Sequence, residues 1–465
     1  MSADAAELRA TVSPSPADAT DGVAERLRGR RTVRHVGRIV RALGTSLRVS
    51  GLPARIGERC EIVDRDGAAP VLAEVVGLEG GDAILVPLAG LAGISAGAEV
   101  RALGDAGSVR VSDALLGRVL DGFGRPLDGA PAPRAADGRE TVASVRADPP
   151  GPLARARIDA PVVTGVRAID ALMTVGRGQR VGVFAPAGAG KSTLLGMLAG
   201  GADADVIVVG LVGERGREVR EFLEDVLGER ARARSVVVVA TSDRPSMERV
   251  AAAQTATAVA DGFRRRGRSV LLLVDSVTRY ARALREVGLA VGEPPARQGF
   301  PPSVFAELPR LFERAGNDEH GSITAFYTVL TDDDDGLDPI AEETRSILDG
   351  HFVLSRRVAE TGRYPAIDVP ASLSRLFSQL APPGQRAAAQ RLRSLLAKYR
   401  DVEFLIQVGE YERGADALAD EAVRLHAPIE RFLAQATDAP AAFDESVAAL
   451  LALAGEPAPS PAFGR

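Results

Sequence analysis

The sequence lacks several residue types on which whole classes of function depend. It has no tryptophan, four histidines and a single cysteine, Cys60. One cysteine excludes an internal disulfide and a cysteine-built metal site, and the histidines lack ligand spacing, so we expect no metal site built by side chains alone. We interpret Cys60 as a small buried or surface thiol in a protein of a reducing compartment.

Long apolar runs are also missing. The runs SVVVVATS and SVLLLVDSV are much shorter than the roughly 18 residues that suggest a membrane span. The first twenty residues contain no apolar segment behind a basic one, so we expect no secretory signal. The net charge of -5 argues against a surface that binds nucleic acid throughout. Together these absences predict a cytoplasmic protein.

Lysine is almost absent. Arginine carries nearly all the positive charge, and only Lys191 and Lys398 are lysines. Lys191 lies in the stretch APAGAGKS, residues 185–192, which follows an apolar strand and begins a helical pattern. The stretch nearly matches the phosphate-binding pattern of glycine, four residues, Gly-Lys-Ser/Thr, with Ala185 in place of the first glycine. We therefore predict a phosphate-binding loop.

Each residue type in this loop has a physical reason. Glycines let backbone N–H groups wrap a phosphate, and the start of a helix attracts an anion. Lys191 is expected to reach the β- and γ-phosphates of ATP, and Ser192 to hold Mg²⁺. The predicted nucleotide-binding residues are Ala187, Gly188, Ala189, Gly190, Lys191, Ser192 and Thr193.

Two carboxylates follow apolar strands of the same region. Asp275 ends LLLVD, and Glu214 follows VIVVGLVG. Ligands of parallel sheets bind at the carboxyl ends of the strands, so Asp275 is predicted to hold the Mg²⁺ shell and Glu214 to act as general base for the attacking water. The alternatives stay open: Asp275 as a helix N-cap, and Glu214 as a first-turn carboxylate that complements the helix dipole.

Changes in composition and hydrophobic periodicity along the chain divide it into several predicted segments. Short β-rich runs broken by glycine indicate a small barrel or sandwich, strands alternating with helices indicate a mainly parallel sheet, and the last part is helical. The acidic run 332–335 is interpreted as a solvated loop. The predicted boundaries are a flexible arm at 1–30, a β-barrel domain at 31–107, a junction at 108–160, a nucleotide-binding domain at 161–378, a helical domain at 379–455 and a disordered tail at 456–465.

Longer stretches resemble a known family. GERGREVREF, TSDRPSMERVAAAQTATAVADGF, ETRSILDGHFVLSRR and YPAIDV are similar to the ATPases of bacterial type III secretion, in injectisome or flagellar export form. That family is related to the catalytic subunits of rotary ATP synthases. The resemblance implies an N-terminal β-barrel, a RecA-like ATPase domain and a C-terminal helical domain that meets chaperones and secreted proteins.

The resemblance also assigns roles to residues. It implies that Glu214 is the catalytic glutamate, that Arg215 contacts the γ-phosphate and that Tyr364 packs on the adenine. Arg375, in ASLSRLF, matches an arginine finger supplied in trans, which implies a homohexamer. The implied partners are stator and central stalk proteins, the latter near the loop ARQGFPPS, with peripheral contact at the inner membrane base of the apparatus. The injectisome form is slightly preferred over the flagellar one.

Three other functions remain open on sequence grounds. A non-catalytic ring subunit of a rotary ATPase lacks the catalytic carboxylate, whereas this chain has Glu214. A hexameric RNA translocase uses aromatic stacking residues in its oligonucleotide-binding fold, but residues 33–107 contain no Phe, Tyr or Trp. A rotary synthase subunit is expected to carry an acidic lever segment, which the helical C-terminal part does not show.

Overall fold

The computed structural model describes residues 36–64, 70–104, 107–135, 138–331 and 338–455. Three predicted segments therefore lie outside the described residues: the arm at 1–30, the acidic run at 332–335 and the tail at 456–465.

The first folded unit is a closed β-barrel whose strands run in the order β1-β2-β5-β4-β3-β6. Alternate residues point into it, and Cys60 is one of them, fully buried among Leu47, Val49, Ile62 and Val100. Burial raises the pKa of the Cys60 thiol to about 12, so this cysteine is an inert packing residue. The barrel strands are β1 (Val36–Leu43), β2 (Ser46–Ser50), β3 (Arg59–Val63), β4 (Val71–Glu79), β5 (Asp82–Pro87) and β6 (Glu99–Ala102).

The predicted junction contributes strands rather than an extended linker. β7 (Ser108–Val111) and β9 (Thr141–Ser144) pair with each other antiparallel, and β8 (Val119–Asp121) joins the edge of the central sheet. The central sheet runs in the order β17-β16-β10-β15-β13-β11-β12-β8, and β14 pairs with β15. Its further strands are β10 (Arg180–Ala185), β11 (Val206–Glu214), β12 (Ser235–Thr241), β13 (Ser269–Asp275), β14 (Gly316–Asn317), β15 (Ser322–Leu330), β16 (Gly350–Val353) and β17 (Leu373–Ser374).

The strands of the sheet interior are parallel, and only the pairs β16–β17 and β14–β15 are antiparallel among those described. Helices cover both faces, and alternate residues of one strand enter opposite cores: Leu271 and Leu273 of β13 lie in one, Leu272 and Val274 in the other. Burial on both faces explains why these strands read as continuous apolar runs. The predicted fold class, an N-terminal barrel, a mainly parallel RecA-like sheet and a helical C-terminal part, is confirmed.

The helices follow in chain order as α1 (Arg167–Leu172), α2 (Lys191–Gly201), α3 (Gly216–Glu221), α4 (Gly228–Ala233), α5 (Ser246–Arg265), α6 (Val277–Ala290), α7 (Pro302–Phe312), α8 (Pro339–Ile347), α9 (Arg356–Glu360), α10 (Phe377–Leu380), α11 (Pro383–Val408), α12 (Ala417–Leu433) and α13 (Phe443–Ala454). A π-helical turn, Phe222–Val226, connects α3 to α4. The C-terminal helices bury Leu392, Ile429 and Leu450 in the same core as α2, so they pack on the face of the sheet that carries the phosphate loop helix. No helix of the described ranges combines the length and apolarity of a membrane span.

Candidate active site

The phosphate loop connects β10 to α2. Gly188 and Gly190 have φ angles of +82° and +83°, a left-handed conformation that glycine adopts without strain. A Cβ atom on Gly190 would also lie 2.8 Å from Cε1 of Tyr364, so this position has no room for a side chain. Ala187 and Gly188 are exposed, whereas Ala189 is buried and anchors the loop. The loop therefore presents its backbone at the start of α2, as the sequence predicts.

Four charged side chains meet at the carboxyl edge of the sheet. Lys191 Nζ lies 2.7 Å from Asp275 Oδ1 and 3.2 Å from Glu214 Oε1. Arg279, on α6, places Nη1 3.1 Å from Glu214 Oε2 and also donates to the Gly213 carbonyl. Asp275 additionally accepts a hydrogen bond of 2.7 Å from the Thr328 hydroxyl of β15. The topology makes this possible, because β11, β13 and β15 are adjacent and β10 follows next.

Burial gives this cluster unusual protonation properties. Glu214 and Asp275 are 6% and 3% exposed. Burial raises the pKa of Glu214 to about 7, the charge of Asp275 adds to the increase, and the charges of Lys191 and Arg279 oppose it. Burial alone would lower the pKa of Lys191, but the charges of Asp275 and Glu214 outweigh it, so the net pKa is raised and the ammonium stays charged.

These pKa shifts predict how hydrolysis depends on pH. If Glu214 accepts the proton of the attacking water, its ionised form is needed, and that form becomes dominant as the pH rises through about 7. We expect kcat/KM for ATP hydrolysis to rise between about pH 6 and pH 8 and then level off, since this quantity reports the free enzyme. The measurement requires Mg²⁺ in excess at each pH, so that the substrate is MgATP throughout.

The variant Arg279→Met tests whether the ionisation of Glu214 causes this profile. Removing the positive charge beside Glu214 takes away an influence that lowers its pKa, so the profile is expected to shift to higher pH. The groups that face Glu214 are Lys191, Asp275, Arg279 and Glu218, and only the Arg279 charge changes in this variant. A profile that is flat from pH 6 to pH 8 in the wild type would contradict the general-base assignment.

The side chains present are compatible with Mg²⁺ bound together with a nucleotide. Ser192 lies exposed in the first turn of α2, and Asp275 lies two strands away at the same edge of the sheet. Mg²⁺ in phosphate-transfer sites takes one or two protein oxygens and completes its shell with phosphates and water. In the described part of the chain no cluster of three or more His, Cys, Asp or Glu side chains could hold a metal ion. Ser192, with Asp275 acting through water, is the donor pair that fits.

Tyr364 lies beside the phosphate loop, with its ring against Gly190. Its backbone carbonyl accepts a hydrogen bond of 2.8 Å from the backbone N–H of Gln435, which follows α12. The Gln435 side chain in turn donates to the Gly165 carbonyl at 2.7 Å and lines a cavity of about 1060 Å³ that begins at Thr193. This cavity runs along α2 from Thr193 to Gly201, and Tyr364 and Gly190 are not among its lining residues.

The two arginines taken from the resemblance lie elsewhere. Arg215 is the N-cap residue of α3, its side chain is 74% exposed, and it lies 3.5 Å from Glu218 rather than in the charged cluster. Arg375 is exposed and follows β17, and its guanidinium donates to the Arg345 carbonyl at 3.2 Å. The contact of Arg215 with a γ-phosphate stays a prediction, as does the role of Arg375.

Arg375 cannot serve the phosphate loop of its own subunit. Its backbone N–H donates to the carbonyl of Asp349, and Asp349 pairs with Arg180, the first residue of β10. The phosphate loop begins at the other end of β10, five residues later, about 17 Å away at the rise of a β-strand. That distance exceeds the length of an arginine side chain.

Sequence reasoning missed three residues that the structure brings to the site: Arg279, Thr328 and Gln435. Arg279 is one of many arginines in a helical pattern, and Thr328 lies within the apolar strand SITAFYTVL, so neither carries a local signal. The one available hint was a polar residue inside an otherwise apolar strand, which needs a buried hydrogen-bond partner. For Thr328 that partner is Asp275.

Comparisons with known proteins agree with this architecture. Residues 39–104 match the ATP synthase alpha/beta family, beta-barrel domain; residues 165–374 match the nucleotide-binding domain of the same family; and residues 381–452 match the T3SS EscN ATPase C-terminal domain. The Type 3 secretion system ATPase of Xanthomonas euvesicatoria is 56% identical over 414 residues, 89% of this chain and 93% of that protein. The Flagellum-specific ATP synthase of Salmonella typhimurium is 50% identical, over 90% of this chain and 93% of that protein.

A solved structure is also similar along most of the chain. It is that of the assembled ATPase EscN in complex with its central stalk EscO, from the type III secretion system of enteropathogenic E. coli. It superposes with a TM-score of 0.82 at 46% identity and covers 90% of this chain and all of that one.

Proposed function

Because this chain belongs to the family of type III secretion ATPases and flagellum-specific ATP synthases, and is therefore an ATPase, we propose that it is the motor of a bacterial type III protein export apparatus. In this proposal a homohexamer hydrolyses ATP to release chaperones from secretion substrates and to unfold those substrates. The injectisome form is slightly preferred over the flagellar one, in line with the 56% identity to a Type 3 secretion system ATPase against 50% to a Flagellum-specific ATP synthase.

The observation that carries the catalytic proposal is the meeting of Lys191, Glu214 and Asp275 at the start of α2. On nucleotide binding, Lys191 exchanges its carboxylate partners for the β- and γ-phosphates. A water oxygen then forms a bond to the γ-phosphorus as the bond from that phosphorus to the bridging oxygen breaks, giving ADP and phosphate. Glu214 accepts a proton of that water. Mg²⁺, held by Ser192 and through water by Asp275, would offset the charge of the phosphates.

The hexamer is proposed on the position of Arg375. This residue cannot reach the phosphate loop of its own chain, so a role in hydrolysis requires the site of a neighbouring subunit. The EscN relative is described as assembled and as bound to a central stalk, which supports a ring with a stalk partner here. The loop Ala296–Ser303, with Arg297 half exposed, is proposed to face that stalk.

Tyr364 is proposed to pack on the adenine, and this gives a prediction. Tyr364→Ala is expected to weaken ATP binding by about 5- to 150-fold, because base–aromatic stacking contributes about 1–3 kcal/mol. Tyr364→Phe keeps the ring and should bind ATP as the wild type does. Nucleotide affinity measured by equilibrium titration decides between them, and an unchanged affinity of Tyr364→Ala would remove the ring from the binding site.

The remaining partners follow the family. We propose stator proteins, chaperones and secreted proteins as partners, no nucleic acid, and a cytoplasmic location at the inner membrane base of the apparatus. Residues 1–30, which are proposed to contribute to partner or membrane association, lie outside the described residues.

An exchange experiment tests the export function. This chain would replace the injectisome ATPase in a Xanthomonas euvesicatoria deletion strain and the flagellar enzyme in a Salmonella typhimurium deletion strain. Restored effector secretion without restored swimming supports the injectisome form, and the reverse result supports the flagellar form. A chain that hydrolyses ATP, is present at normal levels and restores neither process would contradict the export proposal. The Glu214→Gln variant is the control that should restore neither.

A further inference from the structure

Arg375 is anchored to four residues that have no role in the mechanism above: Gln179, Arg180, Asp349 and Ser374, here called the finger platform. The backbone N–H of Arg375 donates to the carbonyl oxygen of Asp349 at 3.0 Å. The same carbonyl accepts a hydrogen bond of 2.9 Å from Gln179 Nε2. The backbone of Arg375 is thereby fixed to Asp349 at the point where the chain leaves the sheet.

Asp349 itself is held by Arg180 from three directions. Its carboxylate accepts hydrogen bonds from Nε of Arg180 at 2.9 Å, from Nη2 at 3.2 Å and from the Arg180 backbone N–H at 3.2 Å. The side chains of Arg180 and Asp349 are 15% and 26% exposed, respectively. A bidentate, partly buried arginine–carboxylate pair restricts orientation as well as adding energy. Because β10 lies between β15 and β16, Arg180 belongs to the sheet interior and gives Asp349 a rigid support.

The residue before the arginine is held by the same platform. Gln179 is fully buried, and its Nε2 lies 3.1 Å from the Ser374 hydroxyl oxygen. That hydroxyl donates to the Thr174 carbonyl at 3.0 Å. A buried polar network in which each member is satisfied favours one geometry over others. Asp349, which binds the Arg375 backbone, and Ser374, which precedes Arg375, are therefore both fixed by polar contacts rather than by apolar packing alone.

We propose that Asp349 is a positioning residue for the arginine finger: its carboxylate clamps Arg180, and its carbonyl sets the direction in which Arg375 leaves one subunit toward the site of the next. This inference rests on the proposed function, since it requires Arg375 to act in trans. Asp349 does not touch the nucleotide of its own subunit, because it lies at the end of β10 opposite the phosphate loop.

The test is the turnover of Asp349→Asn in assembled rings. The variant keeps the size of the side chain and the backbone carbonyl but removes one of the two carboxylate charges that hold Arg180, the other being that of Glu313. We expect ATP turnover to fall about 10²-fold, the effect of a misplacement of about 1 Å in a catalytic group. Asp128→Asn is the matched control, because Asp128 forms a bidentate pair with Arg118 at similar exposures of 20% and 17%, far from the finger. It should hydrolyse ATP as the wild type does.

Mixed rings separate positioning from general damage. An Asp349→Asn subunit has an intact phosphate loop and a misplaced finger, whereas a Glu214→Gln subunit has a disabled site and an intact finger. We expect mixtures of the two to recover turnover above either variant alone, at junctions where the Asp349→Asn site receives the finger of a Glu214→Gln subunit. Absence of recovery at every mixing ratio, or wild-type turnover of Asp349→Asn alone, would overturn the inference.

Two further variants keep the outcome clear. Ser374→Ala removes one contact of the finger platform with little change in size. It should lose less turnover than Asp349→Asn and should also recover turnover in mixed rings with Glu214→Gln. If Asp349→Asn does not assemble, the result for Ser374→Ala decides whether the inference holds. Arg375→Ala tests the premise. If Arg375→Ala keeps wild-type turnover, the assignment of Arg375 as the arginine finger is wrong, and the positioning role of Asp349 fails with it. If Arg375→Ala is silent while both platform variants are normal, only the platform inference fails.

Discussion

Glu214→Gln is expected to bind ATP with unchanged affinity and to lose at least about 10²-fold in turnover, the usual contribution of a general base. The amide keeps the shape of the side chain and can still occupy the space between Lys191 and Arg279, but it does not accept the proton of the attacking water. The substitution also replaces the ion pair between Glu214 and Arg279, which is 3.1 Å long in the wild type, by a contact with a neutral side chain. Nucleotide affinity by titration and turnover by phosphate release are measured on the same preparation.

The control for this variant is Glu221→Gln. Glu221 lies on α3, seven residues after Glu214, and pairs with Arg217 on an exposed face where both side chains reach solvent. Exposed ion pairs contribute about 0–1 kcal/mol, so turnover and affinity should stay at wild-type values. If Glu214→Gln hydrolyses ATP at the wild-type rate, the proton acceptor is another group and the mechanism proposed here is wrong.

Arg375→Ala is expected to assemble into rings of normal size and to hydrolyse ATP about 10³- to 10⁵-fold more slowly, the range reported for arginine fingers. The side chain is exposed in the single subunit, and within the described residues its one hydrogen bond is to the Arg345 carbonyl, so its removal costs little stability. Arg386→Ala is the matched control, since Arg386 is another exposed arginine that donates to one carbonyl, that of Ser378. Size-resolved mass and specific activity are recorded over a series of protein concentrations.

The shared site predicts two behaviours of the wild type and its mixtures. Wild-type specific activity should rise steeply with concentration as rings form, because a lone subunit lacks the finger of a neighbour. Mixed rings of Arg375→Ala and Glu214→Gln should regain turnover at junctions that combine an intact site with an intact finger. A monomer that hydrolyses ATP at the full rate, or mixtures that never recover, would show that each site is complete within one chain.

The sequence was sufficient for the parts of this protein that depend on short-range pattern. The apolar runs before Lys191, Glu214 and Asp275 predict strands, and a parallel sheet must bring the carboxyl ends of its strands to one edge. Those three residues do meet there, at 2.7 and 3.2 Å. The glycine-punctuated segment before them predicts a barrel or sandwich, but nothing local indicates which, because closure depends on β1 pairing with β6 across the unit.

The tertiary structure alone decided which distant residues complete the site. Arg279 reaches Glu214 because α6 follows β13 and packs beside the end of β11, a result of strand order and not of sequence spacing. Tyr364 meets Gly190 because the chain returns past β16 to the phosphate loop, and Gln435 holds it from the end of α12. The sequence thus determined the chemistry available at each strand end, since periodicity and turn residues act over a few positions. The fold decided which of those ends, helices and returning segments lie within hydrogen-bond distance, because that depends on contacts summed over the whole chain.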